Sequence, residues 1–173
     1  MKKMFAMLLI AAMTLTGFAA FAENYHNEDL NFTFDKEVFS ITEDETEDEL
    51  ETVLTAKNEA WGTTYIRFHL RDLDDGEKFP TKAEFAELEK GLNTEVTQGE
   101  WNGFKDVFMY DVKEDGTFES VFIIPVYDDD DDNEIDDILT INVSITDIED
   151  EELAMARDDQ ISAVLDTLKI DND

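Results

Sequence analysis

The sequence predicts an α+β fold, an antiparallel sheet with a C-terminal four-strand meander, packed by one mid-chain helix and one C-terminal helix. Two turn dipeptides, Asn102-Gly103 and Asp115-Gly116, separate runs rich in apolar residues, as expected of consecutive hairpins. Apolar residues also recur with helical spacing in two segments, 81–92 and 149–168. Consecutive hairpins together with separately placed helices indicate the α+β class.

Four strands are predicted before the first helix. Apolar and polar residues alternate over residues 30–35, and the pattern continues at 39–41. The acidic stretch 41–54 is expected to be a solvated loop that leads into a strand at about 50–56. Residues 63–72 are typical of a half-buried strand, because every second side chain is apolar.

Each predicted helix has its own sequence signal. Thr81 and Glu84 form a capping box at the start of the mid-chain helix, since each side chain can bond the backbone N–H of the other residue. The C-terminal helix is expected from about 149 to 168. One stripe of this helix is apolar. Its members are Leu153, Ala156, Ile161, Val164, Leu165 and Leu168.

The predicted meander lies between the two helices. Its strands are 94–101, 104–113, 117–127 and 138–147. Residues 122–124 are three consecutive apolar residues, so we expect their strand to be covered on both faces.

The first 22 residues have the features of a signal peptide. Lys2-Lys3 precedes an apolar run over 4–21, and Ala20-Phe21-Ala22 fits the small-x-small pattern of a cleavage site. We therefore expect cleavage after Ala22 and a periplasmic or extracellular mature protein, residues 23–173, that forms a single domain. No second apolar stretch has the length that spans a bilayer.

The composition limits the classes of partner. The chain has 13 Lys and Arg against 45 Asp and Glu, a formal charge of −32, and removal of the two lysines in the signal peptide makes it −34. Nucleic acid is excluded as a partner because a polyanion needs a basic surface. Cations and an unknown protein partner remain. Because there is no cysteine, packing rather than disulfides must hold the exported chain together.

The order of elements resembles the PsbP-like superfamily, which includes the photosystem extrinsic protein and bacterial envelope proteins of the DcrB type. The matching parts are Phe39-Ser40-Ile41, the meander over 104–145, and the segment Ile161-Ser162-Ala163-Val164-Leu165-Asp166-Thr167-Leu168. The resemblance implies a single PsbP-like domain and a non-enzymatic binding or assembly role in the cell envelope.

Arg67, His69 and Arg71 are the candidate ligand-binding residues. They project from one face of the strand 63–72, where three groups that can carry positive charge form a local anion site in an acidic protein. The alternative is cross-strand pairing with carboxylates, which stabilises a sheet modestly.

The acidic loop 128–137 is the candidate metal site. Ca²⁺ prefers carboxylate oxygens, and Asp128, Asp130, Asp132 and Glu134 are the candidate ligands for weak association. The loop does not follow the EF-hand pattern, and a solvated acidic loop is the alternative. No resident cofactor is expected.

Catalysis has little support in the sequence. His26 and His69 are the two imidazoles, and the serines have no nucleophile-elbow context. A carboxylate pair with Trp61 or Trp101 as a sugar platform could serve a glycan hydrolase, although 45 acidic residues produce such pairs by chance. The sequence therefore favours a non-enzymatic module, with a Ca²⁺-responsive protein second and a carboxylate-dependent glycan hydrolase last.

Overall fold

The part of the chain that the structure describes folds into two antiparallel sheets and two α-helices, an α+β architecture. The computed structural model describes residues 21–27, 30–46, 49–73, 77–92, 94–114, 116–127 and 135–170. The strands are β1 (Ala22–His26), β2 (Leu30–Asp35), β3 (Phe39–Glu45), β4 (Glu49–Ala56), β5 (Thr64–Asp72), β6 (Thr97–Trp101), β7 (Phe104–Glu114), β8 (Thr117–Tyr127), β9 (Ile135–Thr146) and β10 (Lys169–Ile170). The helices among the described residues are α1 (Lys82–Leu92) and α2 (Glu151–Leu165), and a 3₁₀ turn spans Glu59–Trp61.

The larger sheet has seven strands in the order β3-β4-β5-β9-β8-β7-β6, and the smaller has three in the order β1-β2-β10. The core lies between them, and α2 packs on β2. Phe32 of the small sheet stacks between Tyr25 and Phe68, with ring centroids 4.7 Å from each. Ile161 and Val164 of α2 complete this core.

Buried and half-buried side chains alternate along β5, and this alternation distinguishes the two faces of the large sheet. Ile66, Phe68 and Leu70 are buried on the inner face, toward the core. Tyr65, Arg67, His69 and Arg71 therefore lie on the opposite side, which we call the outer face. A half-buried strand was predicted here, and β5 has that character.

Helix α1 covers part of the outer face. Phe108 of β7 pairs with Ile123 of β8, which pairs with Thr140 of β9. Thr140 in turn pairs with His69 of β5, so Phe108 lies on the same outer face as His69. Phe85 of α1 is buried and stacks on Phe108 with centroids 3.8 Å apart, and Phe79 lies 5.6 Å from the same ring.

The capping box at the start of α1 is confirmed. The backbone N–H of Thr81 donates to Glu84 Oε2 over 2.6 Å, and the Glu84 N–H donates to Thr81 Oγ1 over 3.4 Å. The backbone N–H and the side chain of Thr81 both hydrogen-bond the Glu84 carboxylate, which holds the pKa of that carboxyl below its usual value.

The turn between β6 and β7 has the geometry that Asn-Gly favours. Asn102 and Gly103 have φ of 49° and 87°. The Asn102 side chain also donates to the carbonyl oxygen of Leu165 over 2.6 Å and so ties this turn to the end of α2. Strand β6 begins at Thr97 rather than at Thr94, whose hydroxyl instead donates to the carbonyl oxygen of Asp111.

The prediction of a solvated loop over 41–54 is wrong at its beginning. Strand β3 continues through the acidic residues to Glu45, and every one of its residues pairs with β4. Charged side chains are compatible with this position because β3 is the edge of the sheet, where they project into water and discourage pairing between molecules.

The C-terminal helix is shorter than the predicted 149–168. It ends at Leu165 because the hydroxyl of Thr167 bonds the Val164 carbonyl oxygen and also accepts the N–H of Thr33 over 2.8 Å, which leads the chain into β10. Ala156, placed in the apolar stripe, is exposed, and Arg157 is buried instead.

The described part of the chain contains no helix that is both long and apolar enough to cross a membrane. The predicted signal peptide falls almost entirely on residues 1–20, outside the described residues.

Candidate functional site

Arg67, His69 and Arg71 lie side by side on the outer face, and we call them the cationic stripe. All three are half-buried, and neighbouring carboxylates face each of them. The stripe runs along β5, which is an interior strand of the seven-stranded sheet, the third from the β3 edge.

Each member of the stripe contacts one glutamate. Arg67 Nε donates to Glu51 Oε2 over 2.8 Å, and His69 Nε2 lies 3.5 Å from Glu49 Oε2. Arg71 makes a two-pronged contact with Glu77, with N···O distances of 2.6 and 2.9 Å. An anionic ligand would therefore have to compete with carboxylates that already occupy the stripe.

Polar side chains continue across the outer face next to the stripe. Asn142 lies opposite Arg67, and its amide donates to Glu119 Oε1 over 2.7 Å. Burial, together with the negative charge of Glu119, raises the pKa of Tyr110. This part of the sheet is an ordered polar surface with half-buried side chains.

A cleft of about 400 Å³ lies at the β6–β7 edge of the large sheet. Its walls come from the segment before β6, from the first residue of β6, and from β7 and β8. Thr94, Thr97 and Ser120 supply hydroxyl groups, while Glu95 and Asp111 supply carboxylates that are exposed to solvent. We call this feature the β7 cleft.

Each aliphatic hydroxyl of the β7 cleft donates its proton to the protein. Thr94 Oγ1 donates to the Asp111 carbonyl oxygen over 2.6 Å, and Thr97 Oγ1 donates to the Met109 carbonyl oxygen over 3.3 Å. Ser120 Oγ donates to Asp111 Oδ1 over 2.7 Å. A hydroxyl has one proton, so these groups present only lone pairs to a ligand.

The apolar part of the β7 cleft is formed by Met109 and Phe122. Both are half-buried and pack against the core, and the Phe122 ring lies 4.4 Å from that of Trp101. The cleft therefore combines hydrogen-bond acceptors with a thioether and an aromatic ring.

Several residues considered from the sequence lie elsewhere. Trp61 is only 6% exposed and its Nε1 has no hydrogen-bond partner within the described structure, so it is not an open sugar platform. His26 lies in β1 beside Asn31. The described residues include no group of three or more His, Cys, Asp or Glu that could hold a metal ion. The predicted calcium ligands Asp128, Asp130, Asp132 and Glu134 lie outside the described residues.

Sequence reasoning missed the β7 cleft, although one signal was available. Met109 and Phe122 are apolar inner-face residues, and the next residues on the same face, Asp111 and Ser120, are polar. A break in alternation on the face that should be dry indicates that this end of the sheet meets solvent.

Comparison of the chain with protein-family models, with curated proteins and with solved structures finds no match.

Proposed function

We propose that the protein, after export, is a non-enzymatic binding or accessory module of the cell envelope or extracellular space, of the PsbP-like kind. The support comes from the leader-like first 22 residues, the strongly acidic composition and the α+β architecture of the described residues. The order of strands, with β6 to β9 adjacent and a helix on either side of them in the chain, agrees with the meander on which the resemblance rests.

The observation that carries a binding role is the β7 cleft. Its volume of about 400 Å³ lies within the range of small-molecule sites, and its walls combine apolar surface with a few oriented polar groups. Two of its hydroxyl groups, those of Thr94 and Thr97, bond backbone carbonyl oxygens of β7, which fixes their positions before a ligand arrives.

The test is a titration of the protein, followed by amide chemical shifts, with a panel of small cations, amines, anions and neutral sugars. We expect saturable shifts at the cleft with one member of the panel and no consumption of that compound. Hydrolysis of glycans or peptides that a Glu-to-Gln change abolishes would instead establish the carboxylate-dependent hydrolase and overturn the proposal.

The cationic stripe remains a proposed second binding surface. An anion that displaced Glu51 and Glu77 would gain two guanidinium groups with fork geometry. Binding of such an anion should be lost in Arg67→Gln and Arg71→Gln and strengthened in Glu51→Gln.

The alternative function is a Ca²⁺ response through residues 128–137. Strands β8 and β9 pair Tyr127 with Ile135, so the seven residues between them, six of which are acidic, join directly neighbouring strand ends. Six carboxylates within seven positions of sequence repel one another, and a bound divalent ion would relieve that repulsion.

Thermal unfolding with and without Ca²⁺ tests this alternative. A rise in Tm at millimolar Ca²⁺ that disappears when residues 128–132 are changed to Asn would support it. An equal rise in that variant would show that the ion acts through the overall charge rather than through the loop.

A further inference from the structure

We propose that the β7 cleft binds an alkylammonium group, a primary ammonium on an aliphatic chain, carried either by a free amine or by a lysine side chain. This inference rests on the proposed binding function and specifies the chemical class of its ligand. Its three supports are the hydrogen-bonding character, the charge and the apolar surface of the cleft.

The hydroxyl and carboxylate groups in the walls of the β7 cleft are hydrogen-bond acceptors, and an ammonium group is a hydrogen-bond donor. The hydroxyls of Thr94, Thr97 and Ser120 have given their protons to the protein and offer lone pairs. The carboxylates of Glu95 and Asp111 are acceptors as well. A primary ammonium has three N–H donors and no acceptor, so it satisfies these groups without leaving a donor facing a donor.

The charge of the cleft favours a cation. Two carboxylates lie in its wall, and none of the described residues that form the wall is Lys, Arg or His. The formal charge of −32 on the whole chain adds a general attraction for cations, which raises their concentration at the surface.

The apolar surface of the cleft separates an organic cation from a metal ion. Met109 and Phe122 offer a polarizable thioether and an aromatic ring. A cation gains from an aromatic face, and the methylene chain of an amine gains from apolar contact. A Ca²⁺ ion needs six to eight oxygen ligands at short range, which a cleft partly walled by carbon and sulfur does not provide.

The experiment is isothermal titration calorimetry of protein purified after expression of the full chain, with 1,5-diaminopentane as the probe. Its neutral counterpart, 1-pentanol, and a neutral disaccharide are the comparison ligands. We expect saturable one-site binding of the diamine and none of the neutral ligands. The second probe is Nα-acetyl-lysine amide, which keeps the side-chain ammonium. Tighter binding of this probe than of the diamine would still support the site and would identify its ligand as a lysine side chain.

Variants locate the binding. Glu95→Gln and Asp111→Asn together should weaken diamine binding by about tenfold or more, since charge-assisted hydrogen bonds are lost. Glu95 lies outside the strands, so Glu95→Gln alone should leave the circular dichroism spectrum unchanged. This single change should still weaken diamine binding. The matched control is Glu37→Gln, an exposed carboxylate in the turn between β2 and β3, which should change the affinity less than twofold.

Three results would overturn the inference. They are no heat of binding at millimolar diamine, equal binding of 1-pentanol, and equal weakening in Glu37→Gln, which would show attraction to the whole charged surface. Saturable binding of another compound of the panel at the cleft, with no binding of amines, would remove the amine inference and leave the binding module standing.

Discussion

The buried guanidinium of Arg157 donates a hydrogen bond from Nη1 to the carbonyl oxygen of Thr146 over 2.7 Å. Arg157 is only 4% exposed, and its Nε donates to Asp158 Oδ1 over 2.9 Å. The first bond joins α2 to the last residue of β9, the strand that lies between β5 and β8 in the large sheet. Arg157 therefore fixes how the C-terminal helix meets this sheet.

Replacing Arg157 with Met should destabilise the protein by about 2–4 kcal/mol, because the Thr146 carbonyl oxygen loses a charged donor and Asp158 loses its neighbour. The free energy of unfolding in urea measures the effect. Lys90→Met is the control, since the Lys90–Glu87 pair lies on the exposed side of α1 and should matter little. Equal effects of the two changes would contradict a structural role for Arg157.

Gly62→Ala should destabilise the protein by about 1–3 kcal/mol. Gly62 has φ of 62°, and a Cβ there would lie 2.8 Å from Thr146 Cβ. Thr146 cannot move freely, because its hydroxyl donates to the Thr63 carbonyl oxygen and accepts the Thr63 N–H.

Gly91→Ala in α1 is the matched control for Gly62→Ala. A Cβ at Gly91 meets nothing within 4 Å, so alanine should raise stability by up to about 1 kcal/mol through its helix propensity. Thermal unfolding of both variants checks the opposite signs. A loss at Gly91 as large as that at Gly62 would show that the crowding by Thr146 is not the cause.

Stability should fall at high pH through Tyr25. Burial, reinforced by the hydrogen bond to Glu43, raises the pKa of Tyr25 from 10.0 to about 12, although the hydrogen bond from Thr52 acts in the opposite direction. The pKa of Tyr25 is therefore higher in the folded than in the unfolded protein, so its neutral phenol contributes to the stability of the fold. This contribution is complete below about pH 10 and is lost as the pH rises to 12.

Absorbance of tyrosinate and urea unfolding at several alkaline pH values measure the Tyr25 effect. Tyr25→Phe should remove the tyrosine that ionises near pH 12 and flatten the loss of stability between pH 10 and 12. Tyr65→Phe, which also removes one phenol, is the control. If the alkaline loss of stability is unchanged in Tyr25→Phe, its ionisation is not what unfolds the protein.

The Arg67–Glu51 pair should contribute only about 0.2–1 kcal/mol to stability. Its side chains are 43% and 36% exposed, so water screens the attraction. A double-mutant cycle with Arg67→Gln and Glu51→Gln measures the coupling, which should shrink in high salt. A coupling of several kcal/mol would mean that the stripe is a structural element rather than a surface open to ligands.

Local patterns predicted much of the fold because their causes are local. The period of two in β5, the Thr81–Glu84 capping box and the Asn102-Gly103 turn each depend on residues within a few positions of one another. The same local reasoning failed at β3, where acidic residues indicated a loop. Pairing with β4 decided that segment, and pairing is not visible in the composition of one strand.

The candidate sites depended on distant residues and could be predicted only in part. The stripe was visible because Arg67, His69 and Arg71 lie on alternate positions of one strand. Their glutamate partners were not assigned, since Glu51 reaches Arg67 only through the register of β4 on β5. The β7 cleft was missed for the same reason.

The sequence by itself determined the α+β class, the charge of the chain and the strands whose faces differ in polarity, since these follow from composition and short-range periodicity. The tertiary structure alone decided that β1 and β10 form a second sheet on β2, that Arg157 is buried, and that Asp111 and Ser120 meet Thr94 at a cleft. These features come from register between strands far apart in the chain, because pairing energy is shared across the whole sheet and is not recorded in any one segment.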